Sequence, residues 1–276
     1  MLFPSARNFR LFSLGALVAV DPTLARQKAT VYDISVPKAP LGPLNVSLNY
    51  ALATSWPTPQ DVHLGNVRRN WHYSSHIVFA NRVGDSDEEN PAISGGQLWQ
   101  IAYDAIAEMS KDREQYGMSD SSFSYDFNNG DTHVGRSLEM CQILFGDWNP
   151  ERMYHNNNGN CAELMGSHLY YKQNTVKMAE QKARIGTFVY QGVKNGWVKT
   201  EPCGPDKDPN APKIRWGCDV YIAIEGVRVL DNTTPSAPYT RENLAGGPVQ
   251  QDQIQTCGGD PIVFWRRPGS TVPDIV

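Results

Sequence analysis

Asn156-Asn157-Asn158-Gly159-Asn160-Cys161-Ala162-Glu163-Leu164 joins a polar, turn-forming run to a cysteine and a carboxylate. Asparagine and glycine interrupt regular structure because they tolerate left-handed backbone and local side-chain hydrogen bonds. Leu164, Met165, His168, Leu169 and Lys172 then continue as a helix to about Glu180, which places Cys161 and Glu163 in its first turn. There the dipole favours a thiolate over a thiol. Two later cysteines also stand beside backbone-bending residues, in Pro202-Cys203 and Gly217-Cys218. Three soft ligands and one carboxylate compose a zinc set with a general acid/base. The same thiols can equally make one disulfide and a spare cysteine.

Outward from this stretch the chain alternates between the two kinds of regular structure. Upstream, Leu98, Ile101, Ala102, Ala105, Ile106 and Met109 recur at helical spacing and predict an amphipathic helix over Gly96 to Asp112. A second helix is expected from Arg136 to Trp148, with Cys141 among apolar neighbours as a buried, inert thiol. Strands are expected over Thr30 to Val36, His76 to Ala80 and Ser121 to Phe127. Downstream come a strand at Thr187 to Tyr190, the Asn195-Gly196 turn, and Trp197 to Thr200 leading into Pro202-Cys203. A short helix over Cys218 to Glu225, a strand over Val227 to Leu230 and a final apolar strand at Ile262 to Trp265 complete the order. Residues 235–276 are otherwise rich in Pro, Gly and Gln, and no internal repeat is present.

That order, strand, helix opening on Cys-Ala-Glu, strand ending in Pro-Cys, helix opening on a second Cys, strand, resembles the zinc-dependent cytidine deaminase-like superfamily, in its toxin or secreted branch. The family pairs a His- or Cys-x-Glu element on one helix with Pro-Cys-x-x-Cys at the start of the next. Cys161-Ala162-Glu163 matches the first element and Pro202-Cys203 the start of the second, while Cys218 stands where its end would be. The family's last two ligands are three residues apart, and here Gly204 to Gly217 lies between them. The resemblance covers about Asn156 to Asp231. It implies an α/β fold: a three-layer, cytidine deaminase-like domain with a central mixed sheet. It also implies Zn2+ on Cys161, Cys203 and Cys218, with Glu163 as proton shuttle. Asn158, Asn160 and the backbone of Ala162 would line the substrate pocket. The implied substrate is a small nucleobase or nucleoside, and the implied reaction is hydrolytic deamination.

Composition sets the frame. Apolar residues make up 40% and charged residues 20% of 276 positions, a globular balance with room for a large core. Net charge is −4 and the pI about 5.9, so no global field favours nucleic acid, which is not the favoured partner. Arg7 and Arg10 precede an apolar run from Leu11 to Val20, too short to span a bilayer but laid out like a secretory signal ending near Ala25. The expected organisation is a signal peptide over 1–25, a proline-rich lead-in of irregular structure and strands over 26–95, the deaminase-like domain over 96–235, and a C-terminal extension over 236–276. Asn45-Val46-Ser47 and Asn232-Thr233-Thr234 are acceptor triplets compatible with a secreted glycoprotein, and no stretch is long enough for a membrane span.

Two rival readings stand beside the zinc enzyme. A Cys203–Cys218 disulfide would close a proline-rich loop in a secreted binding or effector protein without catalysis. Alternatively Cys161 is a nucleophile activated by His133 or His155, His168 being two turns away along the helix. The five cysteines (Cys141, Cys161, Cys203, Cys218, Cys257) are an odd number and leave at least one outside any disulfide framework. The basic run from Lys172 to Arg184, and Arg266-Arg267 beside Trp265, read as solvated charge.

Overall fold

The computed structural model describes residues 11–13, 16–17, 36–50, 73–83, 91–115, 132–146, 154–155, 161–204, 215–254 and 262–266. The strand expected over 30–36 falls almost wholly, and that over 121–127 wholly, outside them. The architecture is α/β, with four α-helices among small sheets in the described residues. No helix among them is long and apolar enough to cross a membrane.

Helix α1 (Gly95–Gln115) starts where Ser94 and Gln97 cap each other: Gln97 N–H donates to Ser94 Oγ (3.2 Å) and Ser94 N–H to Gln97 Oε1 (2.9 Å). Its buried face, with Trp99, Ala102, Ile106 and Met109, packs on Leu44, Val46, Leu48, Tyr73 and Phe188 to form one apolar core. Trp99 meets Phe188 edge-to-face, and its indole N–H donates to the Asp231 carbonyl at 3.0 Å.

The extended segment 43–49 is held against this core by side chains rather than by a long ladder, since its own strand Ser47–Leu48 is only two residues, paired with Tyr73–Ser74. On one edge, the Leu44 and Val46 N–H groups donate to Glu108 Oε1 and Oε2 (2.8 and 3.3 Å), and Leu48 N–H donates to Asp112 Oδ2 (3.1 Å). Two carboxylates one helical turn apart thereby satisfy alternate residues of an extended chain. On the other side, Gln251 Nε2 donates to the Pro43 carbonyl (3.2 Å) and Gln253 Nε2 to the Ser47 carbonyl (2.6 Å).

Those glutamines lie on a strand that the sequence reading did not place. Pro248–Gln253 pairs antiparallel with His76–Phe79 on one side and with Ile262–Arg266 on the other, and Gln251, Asp252 and Gln253 are fully buried. Polar residues on consecutive positions show no alternation, so the strand is invisible to a hydrophobic-period test. It is stable because each buried amide has a partner.

The second core carries the site. Helices α2 (His133–Gly146), α3 (Ala162–Gln173) and α4 (Cys218–Glu225) pack through Val134, Leu138, Leu164, Met165, Tyr221 and Ile222. Glu225 ties them together at one end. It accepts hydrogen bonds from Ser137 Oγ and Tyr171 Oη, both at 2.5 Å, and His133 Nε2 lies 3.1 Å from its Oε1. Cys141 is fully buried in this core as expected, and burial pushes its thiol up to about 12. Helix α3 ends at Gln173, earlier than the expected Glu180, because Asn174 turns out of the helix and donates both its N–H and its side-chain amide to the Tyr170 carbonyl.

Helices α3 and α4 belong to two matched β–α–β units. The first runs Tyr154–His155, α3, Arg184–Ile185; the second runs Arg215–Trp216, α4, Arg228–Val229. The leading strands pair in parallel with each other, Trp216 opposite His155, and so do the trailing strands. Beside them, Thr187–Tyr190 pairs antiparallel with Trp197–Thr200 and with Leu11–Ser13. Both helices therefore begin at the same place, beyond the ends of two adjacent parallel strands, where α/β folds position ligands.

Candidate metal centre

Cys161, Cys203 and Cys218 converge, as the sequence reading expected, and His155 joins them; one ligand atom of each lies within 4.8 Å of all the others. Cys161 Sγ is 3.5 Å from Cys203 Sγ, and His155 Nε2 is 3.4 Å from Cys218 Sγ and 3.9 Å from Cys203 Sγ. A tetrahedral zinc with Zn–S near 2.3 Å and Zn–N near 2.0–2.1 Å sets sulfur pairs about 3.8 Å and sulfur–nitrogen pairs about 3.6 Å apart. The donor set fits zinc in identity, number and spacing.

Local backbone explains why these side chains meet. Cys161 is the N-cap residue of α3, in extended conformation with no side-chain cap hydrogen bond, and its carbonyl accepts the Met165 N–H at 3.2 Å. Cys218 opens α4, and its N–H donates to Cys203 Sγ at 3.2 Å, while Asp219 N–H donates to the Cys203 carbonyl at 3.0 Å. The chain between Gly204 and Gly217 thus returns Cys218 directly to Cys203. Gly217 permits the approach: a Cβ there would stand 2.1 Å from the Cys203 carbonyl oxygen. His155 arrives through its strand pairing with Trp216, whose ring packs edge-on to the imidazole with centroids 4.8 Å apart.

The thiols are strongly perturbed. Burial holds those of Cys161 and Cys218 well above the ordinary range, whereas Cys203, approached by the other two sulfurs and by His155, is pulled well below it. Three sulfurs this close cannot all ionise unless a cation joins them, so negative charge settles on one. Cys161 Sγ meets a second sulfur at 3.5 Å while His155 Nε2 approaches Cys218 and Cys203, so the geometry builds a shared donor set rather than an isolated Cys161–His155 pair. His133 is engaged with Glu225 instead, and His168 is buried within α3. The disulfide expectation also meets a correction: Cys141, Cys161, Cys203 and Cys218 are all free thiols, since the sulfurs of the last three gather around a point instead of closing to the roughly 2.05 Å of a bond. Cys257 lies outside the described residues.

Glu163 sits in the first turn of α3, fully buried. Its Oε1 accepts the Thr187 hydroxyl at 3.0 Å, and its Oε2 has no hydrogen-bond partner. Burial, and then the negative charge on Cys203, push its carboxyl up to about 8, with its own backbone N–H, the Thr187 hydroxyl and the Cys218 thiol pulling the other way. At that value the acid form predominates at neutral pH, and a cation on the thiols would offset the Cys203 charge and bring the carboxyl back toward neutrality. Ala162 is fully buried at the start of α3, beside Cys161. Asn158 and Asn160 lie outside the described residues.

The sequence offered His155 only as a possible partner of a cysteine nucleophile, not as a ligand. One signal for it was present: it precedes Cys161 by six residues, across the Asn-rich turn. Thr187 and Gly217 had no comparable signal. Comparison with known proteins brings no family model, no curated protein and no solved structure that matches the chain.

Proposed function

We propose that this chain is a zinc-dependent hydrolytic deaminase acting on a small nucleobase-containing molecule, built as a three-layer deaminase-like domain in a secreted protein. The observation that carries this reading is Glu163: a fully buried carboxyl in the helix turn that begins at Cys161, anchored by the Thr187 hydroxyl and brought against the Cys218 thiol of the cluster. Burying a carboxyl is costly, and a purely structural zinc site gains nothing from that cost, whereas a proton shuttle needs a carboxyl poised near neutrality.

Zinc on the cysteines would supply Lewis acidity that makes water nucleophilic near neutral pH. The chain's own groups do the rest. Thr187 holds Oε1 and so fixes the carboxyl plane; Oε2 accepts the proton released as water adds across the amidine C=N of the base. The same oxygen returns that proton to the ring nitrogen; it then carries the proton of the newly added hydroxyl to the exocyclic amine, so that the C–N bond breaks with loss of ammonia as the carbonyl forms. The burial that raises the Glu163 pKa is what makes both directions of transfer possible at one atom. Asn158, Asn160 and the backbone of Ala162 would supply amides to the edge of the base.

Four donors rather than three favour a second reading, a closed zinc site of three cysteines and one histidine that is structural in a secreted effector or binding protein. Glu163→Gln separates the two. In the enzyme reading the purified variant retains about one zinc per chain while ammonia release from a nucleoside and nucleobase panel falls by about 10²–10⁴-fold. Undiminished release would remove Glu163 from the mechanism, and no release from wild type at any zinc loading would leave the structural reading.

A further inference from the structure

Hydrolysis at zinc needs three protein ligands and one open position, and the cluster fills all four. We propose that His155 is a displaceable ligand: it closes the three-cysteine centre in the resting protein and must swing away before water and substrate can enter. This inference rests on the deaminase reading.

The four donors are not held alike. Cys161 is fixed by the first turn of α3, and Cys218 by the first turn of α4. Cys203 is fixed by two hydrogen bonds from the Cys218 and Asp219 N–H groups, to its sulfur and to its carbonyl. His155 comes instead from the two-residue strand Tyr154–His155, whose ladder partner is the equally short Arg215–Trp216. Its ring nevertheless stands at zinc-bridging distance from two sulfurs, 3.4 and 3.9 Å, with Trp216 edge-on to the imidazole. A neutral imidazole on a short strand leaves a metal more readily than a thiolate fixed at a helix start.

Displaceability has a direct arithmetic consequence. An exogenous ligand competing with a bound imidazole binds more weakly by the fraction of protein in the open form. Cyanide is a suitable probe for the cobalt-substituted full chain, read by its visible absorption, with X-ray absorption on the zinc form reporting the ligand set. Wild type should show three sulfurs and one imidazole, and saturating cyanide should remove the imidazole signal. His155→Ala should keep one zinc per chain, show a light oxygen ligand in place of imidazole, and bind cyanide at least about tenfold more tightly.

Identical coordination and cyanide affinity in the two proteins would overturn the assignment. A wild-type imidazole signal that persists at every cyanide concentration would overturn displaceability, and this measurement needs no variant to fold. The deaminase reading fails separately, if neither wild type nor a zinc-loaded His155→Ala releases ammonia from the nucleoside panel. The ligand assignment is decided by spectroscopy in either case.

Discussion

Thr187 anchors Glu163: its hydroxyl, fully buried, donates to the carboxyl from the strand beside α3. Thr187→Val keeps the shape and removes the donor to Oε1. The expected result is a loss of about 1–3 kcal/mol in denaturant unfolding, with Thr187→Ser recovering most of it; equal stability of Val and wild type would refute the anchor. Legibility at this scale followed chemistry. Cysteine and a carboxylate at a helix start advertise themselves, because few other roles require that pairing. A threonine on an apolar strand does not, since β-branched residues are common there for packing reasons alone. His155 stayed hidden for a related reason: a lone histidine becomes a ligand only through the strand pairing that brings it beside Cys218.

At the scale of elements, the junction between strand 215–216 and α4 decides whether the centre can form. Gly217→Ala would force a methyl against the Cys203 carbonyl, a backbone clash of a kind that costs about 1–3 kcal/mol and often more. The expected outcome is a zinc affinity at least about tenfold weaker in chelator competition, because that displacement moves Cys203 away from Cys218. Gly95→Ala is the matched control. The nearest atom to its Cβ would be Leu230 Cδ2 at 3.7 Å, and alanine in a helix is favoured over glycine by about 1 kcal/mol; zinc affinity there should stay unchanged. The α4 limits were readable in the sequence because Gly217 and Gly226 bracket it, Gly226 closing the helix in left-handed conformation at φ 64°. The strand Pro248–Gln253 was not, because its burial is set by amide partners far away in the chain.

For the whole molecule, pH enters through α1. Asp112 is fully buried, and desolvation pushes its carboxyl up to about 6 although Leu48 N–H and the Gln115 side chain donate to it. A folded pKa above the unfolded one means that the native state binds the proton more readily. Its contribution is therefore greatest below about pH 4, declines as pH rises to about 6, and is flat above that, with a span of about 3 kcal/mol. In paired melting curves from pH 4 to 8, Asp112→Asn should lack this component, so the variant gains on wild type as pH rises. A difference that stays constant with pH would show that Asp112 does not titrate in this window.

Glu108, Asp112, Gln251 and Gln253 grip residues 43–49 along both edges, as a groove grips a separate strand, and the apolar side chains of Leu44, Val46 and Leu48 are buried beneath it. Covalent continuity adds little to a contact made this way. A protease cut between residues 50 and 73 should leave two pieces that elute together on gel filtration and part only in denaturant. The shorter piece could then be supplied as a synthetic peptide, and a peptide carrying Leu48→Asp should fail to complement.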